Sequence, residues 1–325
     1  MTVPRIGVTA GDPGGIGPEI AVRTLARVSA LPQAAYILFS PARVIEAEEK
    51  NQGVRLRARA WLPAGPARPG IYLAPVAGSF GEPVAGRIAA ENGEISFRSF
   101  EAAVAEARAG RIDALVTAPI SKAAWALAGH AFMGHTDYLA GFYPGIVMTF
   151  WSDRLKVALL SHHRPLREAV AAVRRDALLA LFRSLHASLE KLPGRPYRLL
   201  AAGLNPHAGE AGHLGREEED EIRPAVAAAA SEGIPVTGPF PPDTVFRDAL
   251  GRKDAVVVAL YHDQGLIAFK LEAFATGVNA TLGLPFARTS PDHGTAFDIA
   301  GKGVADARSM EEAVRLAAVF SATGS

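Results

Sequence analysis

The sequence predicts an α/β fold with a largely parallel sheet, and three observations lead to this prediction. Short runs that are almost entirely apolar alternate with longer stretches whose apolar residues recur every three to four positions. Strands that are buried on both faces read as such continuous apolar runs, which is typical of parallel sheets. The chain has 325 residues, of which 49% are hydrophobic, and this is enough for a well-buried core in one or two domains.

The predicted elements follow one another along the chain. The strands predicted from apolar runs are Ile6–Thr9, Tyr36–Phe39, Ile112–Thr117, Leu155–Leu160, Arg198–Leu204, Val256–Tyr261 and Val278–Leu282. The helices predicted from apolar spacing include Phe97–Ala109, Asp176–Leu192 and Met310–Phe320. The stretch VMTFWSDRLKVALLS differs from the rest, because its two apolar runs are separated by Ser152–Arg154. This spacing predicts a hairpin, and therefore one antiparallel pair.

Three local features interrupt this alternation. The proline- and glycine-rich stretch Pro63–Pro83 is expected to be a long surface excursion. The acidic run Glu217–Glu221 is expected to complement the dipole of a helix N-terminus while staying in water. Pro224 lies inside that helix candidate, so the helix is expected to start late or to kink there.

The composition excludes several classes of function. The 34 basic and 33 acidic residues nearly cancel, so no general field attracts nucleic acid or an anionic membrane. The absence of cysteine rules out disulfides and thiolate ligands, which leaves His, Asp and Glu to bind a metal. Since the sequence shows no apolar run typical of a signal peptide or a membrane span, a cytoplasmic protein is expected.

Three histidines share one placement. His163, His207 and His262 each follow the C-terminal end of a predicted strand, and in open α/β sheets ligands bind at that edge. Three neutral imidazoles with one open position form a typical catalytic site for Zn, Co or Ni. Alternatively, each histidine serves only its own loop. His213 shares a glycine-rich loop with His207 but lies further from the strand end, so we do not expect it to bind the ion.

The loop GDPGGIGPEI lies between the first strand and a helix, where a dinucleotide-binding loop would be found. It lacks the GxGxxG pattern, and no acidic residue follows the second strand to bind a ribose. A standard Rossmann site is therefore not expected. The loop either brings its backbone close to a ligand or is only a tight turn.

Two further groups of residues are candidates for binding anions and a nucleotide. His135 and Thr136 precede a short helix, and Lys270, Asn279 and Arg288 lie around the strand that follows His262. Together these residues are suited to a phosphate and a carboxylate, although each is separately compatible with a helix cap or a solvated surface charge. In the loop HGTAFDIAGKG, His293 is placed to stack on an adenine and Asp298 to accept hydrogen bonds from ribose hydroxyls.

Taken together, the motifs resemble those of the 4-hydroxythreonine-4-phosphate dehydrogenase family of vitamin B6 synthesis. The matching stretches run in order from residue 6 to about 305: GDPGGIGPEI, GHTDYLA, LNPHAGE, PDT, YHDQG and NATLGLPFARTSPDHGTAFDIAGKG. The departures are modest, with Gly14 where the family usually has Ala and Asp137 where Glu is usual.

The resemblance implies a fold like that of isocitrate and isopropylmalate dehydrogenases, with two α/β subdomains around a central cleft. We expect residues 1–120 and 277–325 in the first subdomain and residues 121–276 in the second. It also implies these site residues: His163, His207 and His262 as metal ligands; His135, Thr136, Lys270, Asn279 and Arg288 as substrate contacts; His293, Gly294, Thr295, Ala296 and Asp298 as cofactor contacts; Asp243 and Asp263 as a base or as groups that support the ligands.

The resemblance further implies the reaction. A divalent metal (Zn, Co, Mg or Mn) and NAD or NADP would support oxidation of 4-phosphohydroxy-L-threonine to a 3-oxo acid, which loses CO2 to give 3-amino-2-oxopropyl phosphate. A homodimer with shared active sites is expected. Relatives with the same motifs act on D-threonate or D-erythronate 4-phosphate, or on an aromatic dihydrodiol, and these substrates remain alternatives. From the residues alone, two other classes stay open: a three-histidine metal hydrolase and a non-catalytic phosphosugar-binding protein.

Overall fold

The computed structural model describes residues 3–63, 67–194 and 196–322. The strands are β1 (Arg5–Thr9), β2 (Ala35–Phe39), β3 (Arg59–Ala60), β4 (Gly70–Ala74), β5 (Ala114–Thr117), β6 (Val147–Trp151), β7 (Lys156–Leu159), β8 (Arg198–Ala202), β9 (Val236–Phe240), β10 (Ala255–Ala259), β11 (Val278–Leu282) and β12 (Ala287–Pro291). The α-helices are α1 (Gly17–Ala26), α2 (Ala42–Gln52), α3 (Ala90–Arg108), α4 (Lys122–Leu127), α5 (His135–Ala140), α6 (Leu166–Ala171), α7 (Arg175–Leu189), α8 (Arg223–Ser231), α9 (Val245–Ala249), α10 (His262–Ala273) and α11 (Arg308–Ser321).

The chain divides into two compact units, residues 1–142 with 284–325 and residues 143–283. In unit 1 the strand order is β3-β4-β2-β1-β5-β12, and every neighbouring pair is parallel. Helix α3 packs against β1, β2 and β5, and α11 packs against β12 and β5. Strands β2 and β5 are buried along their whole length, as the continuous apolar runs of the sequence predict.

In unit 2 the strand order is β11-β6-β7-β10-β8-β9. Strands β7, β10, β8 and β9 are parallel neighbours, whereas β6 is antiparallel to both β7 and β11. The predicted hairpin is confirmed, since β6 and β7 are joined by a turn in which Ser152 N donates to Leu155 O at 2.9 Å. The core of this unit includes Phe150, Val157, Val257 and Phe269. The α/β class with a mixed, mostly parallel sheet is therefore confirmed.

Both unit boundaries fall later in the chain than the subdomain boundaries expected from the sequence. Helix α4 belongs to unit 1 because Trp125 is buried against α3, where its Nε1 donates to Ser96 Oγ at 2.9 Å. Strand β11 belongs to unit 2 because it pairs along its full length with β6.

One local expectation was wrong and another is confirmed. The stretch Pro63–Pro83 is not only a surface excursion: it contains β4, which is parallel to β2 and buries Ile71. Residues 64–66 of this stretch lie outside the described residues. The late start expected at Pro224 is confirmed, because residues Glu218–Ile222 form a single π-helical turn and α8 begins at Arg223. No helix among the described residues combines the length and the apolar character needed to cross a membrane.

Candidate functional site

The three predicted metal ligands follow neighbouring parallel strands of unit 2. His163 follows β7, His262 follows β10 and His207 follows β8, and these strands are adjacent in the order β7-β10-β8. Asp243 follows β9, the next strand in the sheet. Because the carboxyl ends of parallel strands lie at one edge of a sheet, all four side chains come from the same edge.

His163 and His262 lie side by side. Their ring centroids are 5.8 Å apart, and both line an open groove of about 280 Å³ together with His162, Tyr261 and Asp263. Two imidazoles that bind one tetrahedral ion at roughly 2.0–2.1 Å place their ring centroids about 5 to 6 Å apart. The observed spacing therefore matches that of two ligands of a single ion.

Carboxylates orient two of the three histidines. His262 Nδ1 is hydrogen-bonded to Asp263 Oδ1 at 2.6 Å, and His207 Nδ1 is hydrogen-bonded to Glu210 Oε1 at 2.8 Å. The hydrogen bond that His207 donates to Glu210, followed by the charge of that carboxylate, raises the pKa of His207 above its usual value. Metal-binding histidines typically have one ring nitrogen fixed by a carboxylate, which leaves the other nitrogen to bind the ion. In His207 and His262 the ligating atom would thus be Nε2. Sequence reasoning missed Glu210 because an acid three residues from a histidine carries no signal of its own.

The donor chemistry fits a divalent metal, but one chain does not bring the set together. Imidazoles backed by carboxylates suit Zn and its neighbours in the first transition series. Within residues 3–63, 67–194 and 196–322, no group of three or more His, Asp or Glu side chains is close enough to bind one ion. Among the residues described, His163 and His262 therefore lie side by side, and His207 does not form a group of three with them.

His207 lies in a strained turn. Residues His207, Ala208, Gly209, Glu210 and Ala211 all have positive φ, between 42° and 81°. For a residue with a Cβ, the left-handed conformation costs roughly 1–2 kcal/mol. Four of the five residues carry this cost, so the surrounding contacts must stabilise the turn.

One of these contacts involves Glu218, and it shows that the solvated state predicted for the acidic run is wrong for this residue. Glu218 is not solvated: it is fully buried, and its Oε1 accepts hydrogen bonds from the backbone N–H groups of Leu204 and Asn205, both at 2.7 Å. The other oxygen, Oε2, accepts from Asn205 Nδ2 at 2.8 Å. Charge patterning predicted a solvated helix cap because the sequence does not reveal donors fourteen residues away. Glu219 does behave as expected, since it forms an i,i+4 pair with the exposed Arg223.

In unit 1, His135, the first residue of α5, lies beside Arg288 of β12. Arg288 Nη2 donates to Thr117 Oγ1 at 2.7 Å and to His135 Nδ1 at 3.3 Å. Burial, followed by the charge of Arg288, lowers the pKa of His135 well below its usual value, while burial lowers the pKa of Arg288 to about 10. At neutral pH the imidazole is therefore uncharged and the guanidinium is charged.

The tautomer of His135 follows from these contacts. Because Nδ1 accepts a hydrogen bond from Arg288, the proton is on Nε2. In the described part of the chain, this buried Nε2 has no hydrogen-bond partner. A buried N–H donor without a partner beside an arginine is suited to an oxygen of an anionic ligand. Thr136 is half-buried in the first turn of α5, and the helix cap is Gly134, so the alternative reading of Thr136 as a simple N-cap is wrong.

The other expected substrate contacts lie in unit 2. Asn279 is on β11, and its Oδ1 is buried without a hydrogen-bond partner among the residues described. Lys270 is half-buried on α10, two turns after His262. Asn279 thus offers a buried acceptor and Lys270 a cation, which is the chemistry that the motif match implies.

The expected cofactor loop, His293–Asp298, is packed against the loop GDPGGIGPEI. Ile16 N donates to Thr295 O at 2.9 Å, and a Cβ on Gly15 would come within 2.5 Å of that same carbonyl oxygen. The glycine-rich loop thus packs closely on its neighbour, and its other predicted role, bringing backbone close to a ligand, stays a prediction. His293 and Asp298 are exposed and Thr295 is half-buried, so the loop presents its polar groups to solvent.

Two buried acids of this region were missed from the sequence. Glu19 Oε1 accepts from Ala305 N at 2.7 Å and pairs with Arg23, which ties α1 to the segment after the cofactor loop. Asp12 Oδ1 accepts from Gly14 N at 2.7 Å, and burial raises the pKa of Asp12 to about 6. Both acids lie in GDPGGIGPEI, a motif that was interpreted only through its glycines.

Comparison with known proteins finds relatives of the family that the sequence motifs resemble. A family model described as pyridoxal phosphate biosynthetic protein PdxA matches residues 23–317. A 4-hydroxythreonine-4-phosphate dehydrogenase of Beijerinckia indica subsp. indica is 42% identical over 313 residues, which cover 95% of this chain and 92% of that protein. A protein of Symbiobacterium thermophilum named for D-threonate 4-phosphate dehydrogenase activity is 40% identical and covers 99% of this chain and 98% of its own length. The crystal structure of 4-hydroxythreonine-4-phosphate dehydrogenase from Klebsiella pneumoniae matches with a TM-score of 0.85 at 36% identity, covering 98% of this chain and 99% of that one.

Proposed function

The chain belongs to the family of the pyridoxal phosphate biosynthetic protein PdxA, and we propose that it is an NAD(P)-linked dehydrogenase acting on 4-phosphohydroxy-L-threonine. The product would be the 3-oxo acid, which loses CO2 to give 3-amino-2-oxopropyl phosphate. Family membership carries this proposal, and the chemistry of both units supports it. D-Threonate 4-phosphate is the second candidate substrate, because a relative named for that activity is similar over the same length.

In unit 1, His135 and Arg288 would bind an anionic group of the substrate. The guanidinium offers a planar fork of N–H donors, and the neutral imidazole offers its Nε2–H, the buried donor described above. A charged imidazole would repel the neighbouring arginine, so the lowered pKa of His135 keeps both groups compatible. Thr136, Lys270 and Asn279 are proposed as further contacts of the substrate by motif match.

In unit 2, His163, His207 and His262 would bind one divalent metal. The metal would supply Lewis-acid polarisation of the substrate hydroxyl and, after oxidation, of the keto group. Asp263 would hold the ring of His262 in the orientation that directs Nε2 toward the ion, since it already binds Nδ1. Asp243 comes from the same sheet edge and contributes to the raised pKa of His207. We propose Asp243 as the base that accepts the hydroxyl proton, because Asp263 is occupied by His262.

The dinucleotide would lie against His293–Asp298, where His293, Gly294, Thr295, Ala296 and Asp298 are the candidate contacts. NAD or NADP would supply the hydride acceptor when bound. His293 and Asp298 are exposed, as contacts to an adenine and a ribose must be before the nucleotide binds. The cytoplasm is the expected compartment for this metabolic role.

We also propose a homodimer in which each metal site is shared. Two observations support it: His207 is not gathered with the other two histidines among the described residues of one chain, and α10 exposes an apolar stripe. The stripe consists of Ile267 and Leu271 of α10 and of Phe274, the residue directly after the helix. They are 62%, 86% and 81% exposed, and their spacing of four and three residues is that of one helix face. Because α10 begins at His262, a second copy covering the stripe would also approach the metal ligands.

The substrate assignment is tested by following reduced-nicotinamide absorbance. The full-length protein, loaded with Zn²⁺ or Co²⁺, would be given 4-phosphohydroxy-L-threonine, D-threonate 4-phosphate or an aromatic cis-dihydrodiol. We expect the highest kcat/KM with the first compound. Faster turnover of D-threonate 4-phosphate would transfer the assignment to the second candidate. Phosphate release without nicotinamide reduction would instead indicate a metal hydrolase.

The shared site is tested by mixing inactive variants. If His207 comes from the partner subunit, mixing His207→Ala with His163→Ala or with His262→Ala restores one intact site in each heterodimer. Random exchange then yields roughly a quarter of wild-type activity. The pair His163→Ala with His262→Ala should not recover, because the ring spacing favours both as ligands from one chain. Absence of recovery in every pairing, after confirmed subunit exchange, would mean that each chain builds its own site.

A further inference from the structure

We infer that Glu218 is a positioning residue for His207: its buried carboxylate fixes the left-handed turn that presents the imidazole to the metal. This inference rests on the proposed metal site. Glu218 belongs to the acidic run that was predicted to stay in water, and it is not among the expected metal ligands or substrate contacts.

The carboxylate of Glu218 bridges the beginning of the His207 loop. The backbone N–H groups of Leu204 and Asn205, two and three residues after the end of β8, both donate to Oε1 at 2.7 Å. Oε2 accepts from the side chain of Asn205 at 2.8 Å. Three donors therefore converge on one buried anion, which requires an acceptor on both oxygens.

The same carboxylate also contacts the turn itself. A Cβ on Gly209 would lie 2.7 Å from Glu218 Oε2, and a Cβ on Gly203 would lie 3.2 Å from Oε1. A side chain at Gly209 would therefore clash with the anion, and one at Gly203 would crowd it. Gly209 is two residues after His207 and lies in the left-handed run, so Glu218 touches the loop both before and after the histidine.

These contacts explain how a strained turn persists at this site. Four residues with side chains occupy the left-handed region, and nothing in their own sequence favours it. The buried carboxylate of Glu218 accepts hydrogen bonds from the N–H groups at the start of the loop, and Gly209 lies close to it. These contacts form in the left-handed turn and would be lost in an extended loop, so they stabilise the turn. The hydrogen bond between His207 and Glu210, both within the run, can form only while the turn keeps its shape.

A glutamine cannot replace this carboxylate. One end of its amide is an N–H donor, which would face either the two backbone N–H groups or the side-chain amide of Asn205. A neutral residue of the same shape would therefore lose part of the network while keeping the packing. Glu219 provides a matched control, since it lies next in the chain, is half-exposed and forms an i,i+4 ion pair with surface Arg223.

The experiment measures binding of Co²⁺ alone to the metal-free, full-length protein, together with amide hydrogen exchange. Glu218→Gln is expected to weaken Co²⁺ binding about 10- to 100-fold, the range typical for groups that orient a metal ligand. Amides of residues 204–213 should exchange faster in this variant, whereas Glu219→Gln should match the wild type in both measurements. In the His207→Ala background, Glu218→Gln should still accelerate exchange but should weaken residual Co²⁺ binding no further.

The outcomes separate this inference from the proposed function. If His207→Ala binds Co²⁺ as tightly as the wild type, the proposed metal site is wrong and this inference fails with it. If His207→Ala loses the ion while Glu218→Gln keeps wild-type affinity, only the positioning role is refuted. Equal weakening by Glu218→Gln with and without His207 would indicate general destabilisation and would also refute it. Should Glu218→Gln not fold, Glu218→Asp must show the loss, because its shorter side chain cannot reach both N–H groups; unchanged affinity there overturns the inference.

Discussion

Replacing Asp12 by asparagine should change how the stability of the protein depends on pH. Asp12 follows β1 in the glycine-rich loop and is fully buried. Its Oδ1 accepts from Gly14 N, while Oδ2 has no hydrogen-bond partner within the described ranges. Burial raises the pKa of this carboxyl from 3.8 to about 6, against the lowering effect of the Gly14 and Ser121 backbone groups.

The sign follows from proton linkage. Between pH 3.8 and about 6 the folded protein keeps a proton on Asp12 that the unfolded chain has lost, so the free energy of unfolding falls as the pH rises. The shift of about 2 units corresponds to a total penalty of about 3 kcal/mol, which is complete above about pH 6. Some 2 kcal/mol of this should develop between pH 4 and pH 7. Asparagine does not titrate, and any cost of its buried amide is the same at every pH.

The assay is equilibrium urea unfolding of the wild type and of Asp12→Asn from pH 4 to pH 8. The free energy of unfolding of the variant minus that of the wild type should increase by about 2 kcal/mol across this range. Asp306→Asn is a control of opposite sign, because the hydrogen bond from Arg308 lowers the pKa of Asp306 and its contribution to stability is lost toward acidic pH. A flat difference for Asp12→Asn, or one that falls with pH, would refute the reasoning from burial.

Three further predictions concern the proposed sites. His262→Ala should lose bound metal with an unchanged circular dichroism spectrum, whereas His213→Ala should keep it; full metal occupancy of the His262 variant, measured by atomic emission, would contradict the site. Arg288→Ala should raise KM for the phosphorylated substrate roughly ten- to a hundredfold, since a charge-assisted contact contributes about 1.5–3 kcal/mol, and should affect the dinucleotide far less; equal effects on both ligands in steady-state kinetics would show that Arg288 does not bind the substrate. Leu271→Asp should shift the protein toward the monomer in analytical ultracentrifugation, because it puts a charge into the exposed stripe on α10, and an unchanged dimer would remove the stripe from the interface.

The fold class was predictable because it depends on apolar patterns that repeat along the chain, and the family because its motifs occur in a fixed order. Every strand predicted from an apolar run is present, and the hairpin turn is where the Ser152–Arg154 spacing placed it. Four strands were missed: β3 has only two residues, β12 reads ARTSP and is not an apolar run, and the other two share a cause. Strand β4 lies in a proline- and glycine-rich stretch, and β9 itself contains Gly238 and Pro239, so turn-forming residues concealed both.

The site was predictable only in part, for a physical reason. Residues that follow a strand can be placed at a sheet edge from the sequence, and this is how His163, His207 and His262 were found. Which carboxylate supports which imidazole depends on backbone geometry that the sequence does not display. Glu210 reaches His207 through a left-handed turn, and Glu218 reaches Leu204 across fourteen residues.

Local contacts, and not the net charge, make this chain suited to an anionic substrate. With 34 basic and 33 acidic residues, a general field cannot concentrate the ligand, so binding must come from a few desolvated groups. The acids near the proposed metal site are engaged locally, with Asp263 on His262 and Glu218 on backbone N–H groups. In unit 1, burial keeps His135 neutral beside the charged Arg288. A carboxylate whose oxygens already accept hydrogen bonds from an imidazole or from backbone N–H groups orients that partner and repels a phosphate less than an unpaired carboxylate would.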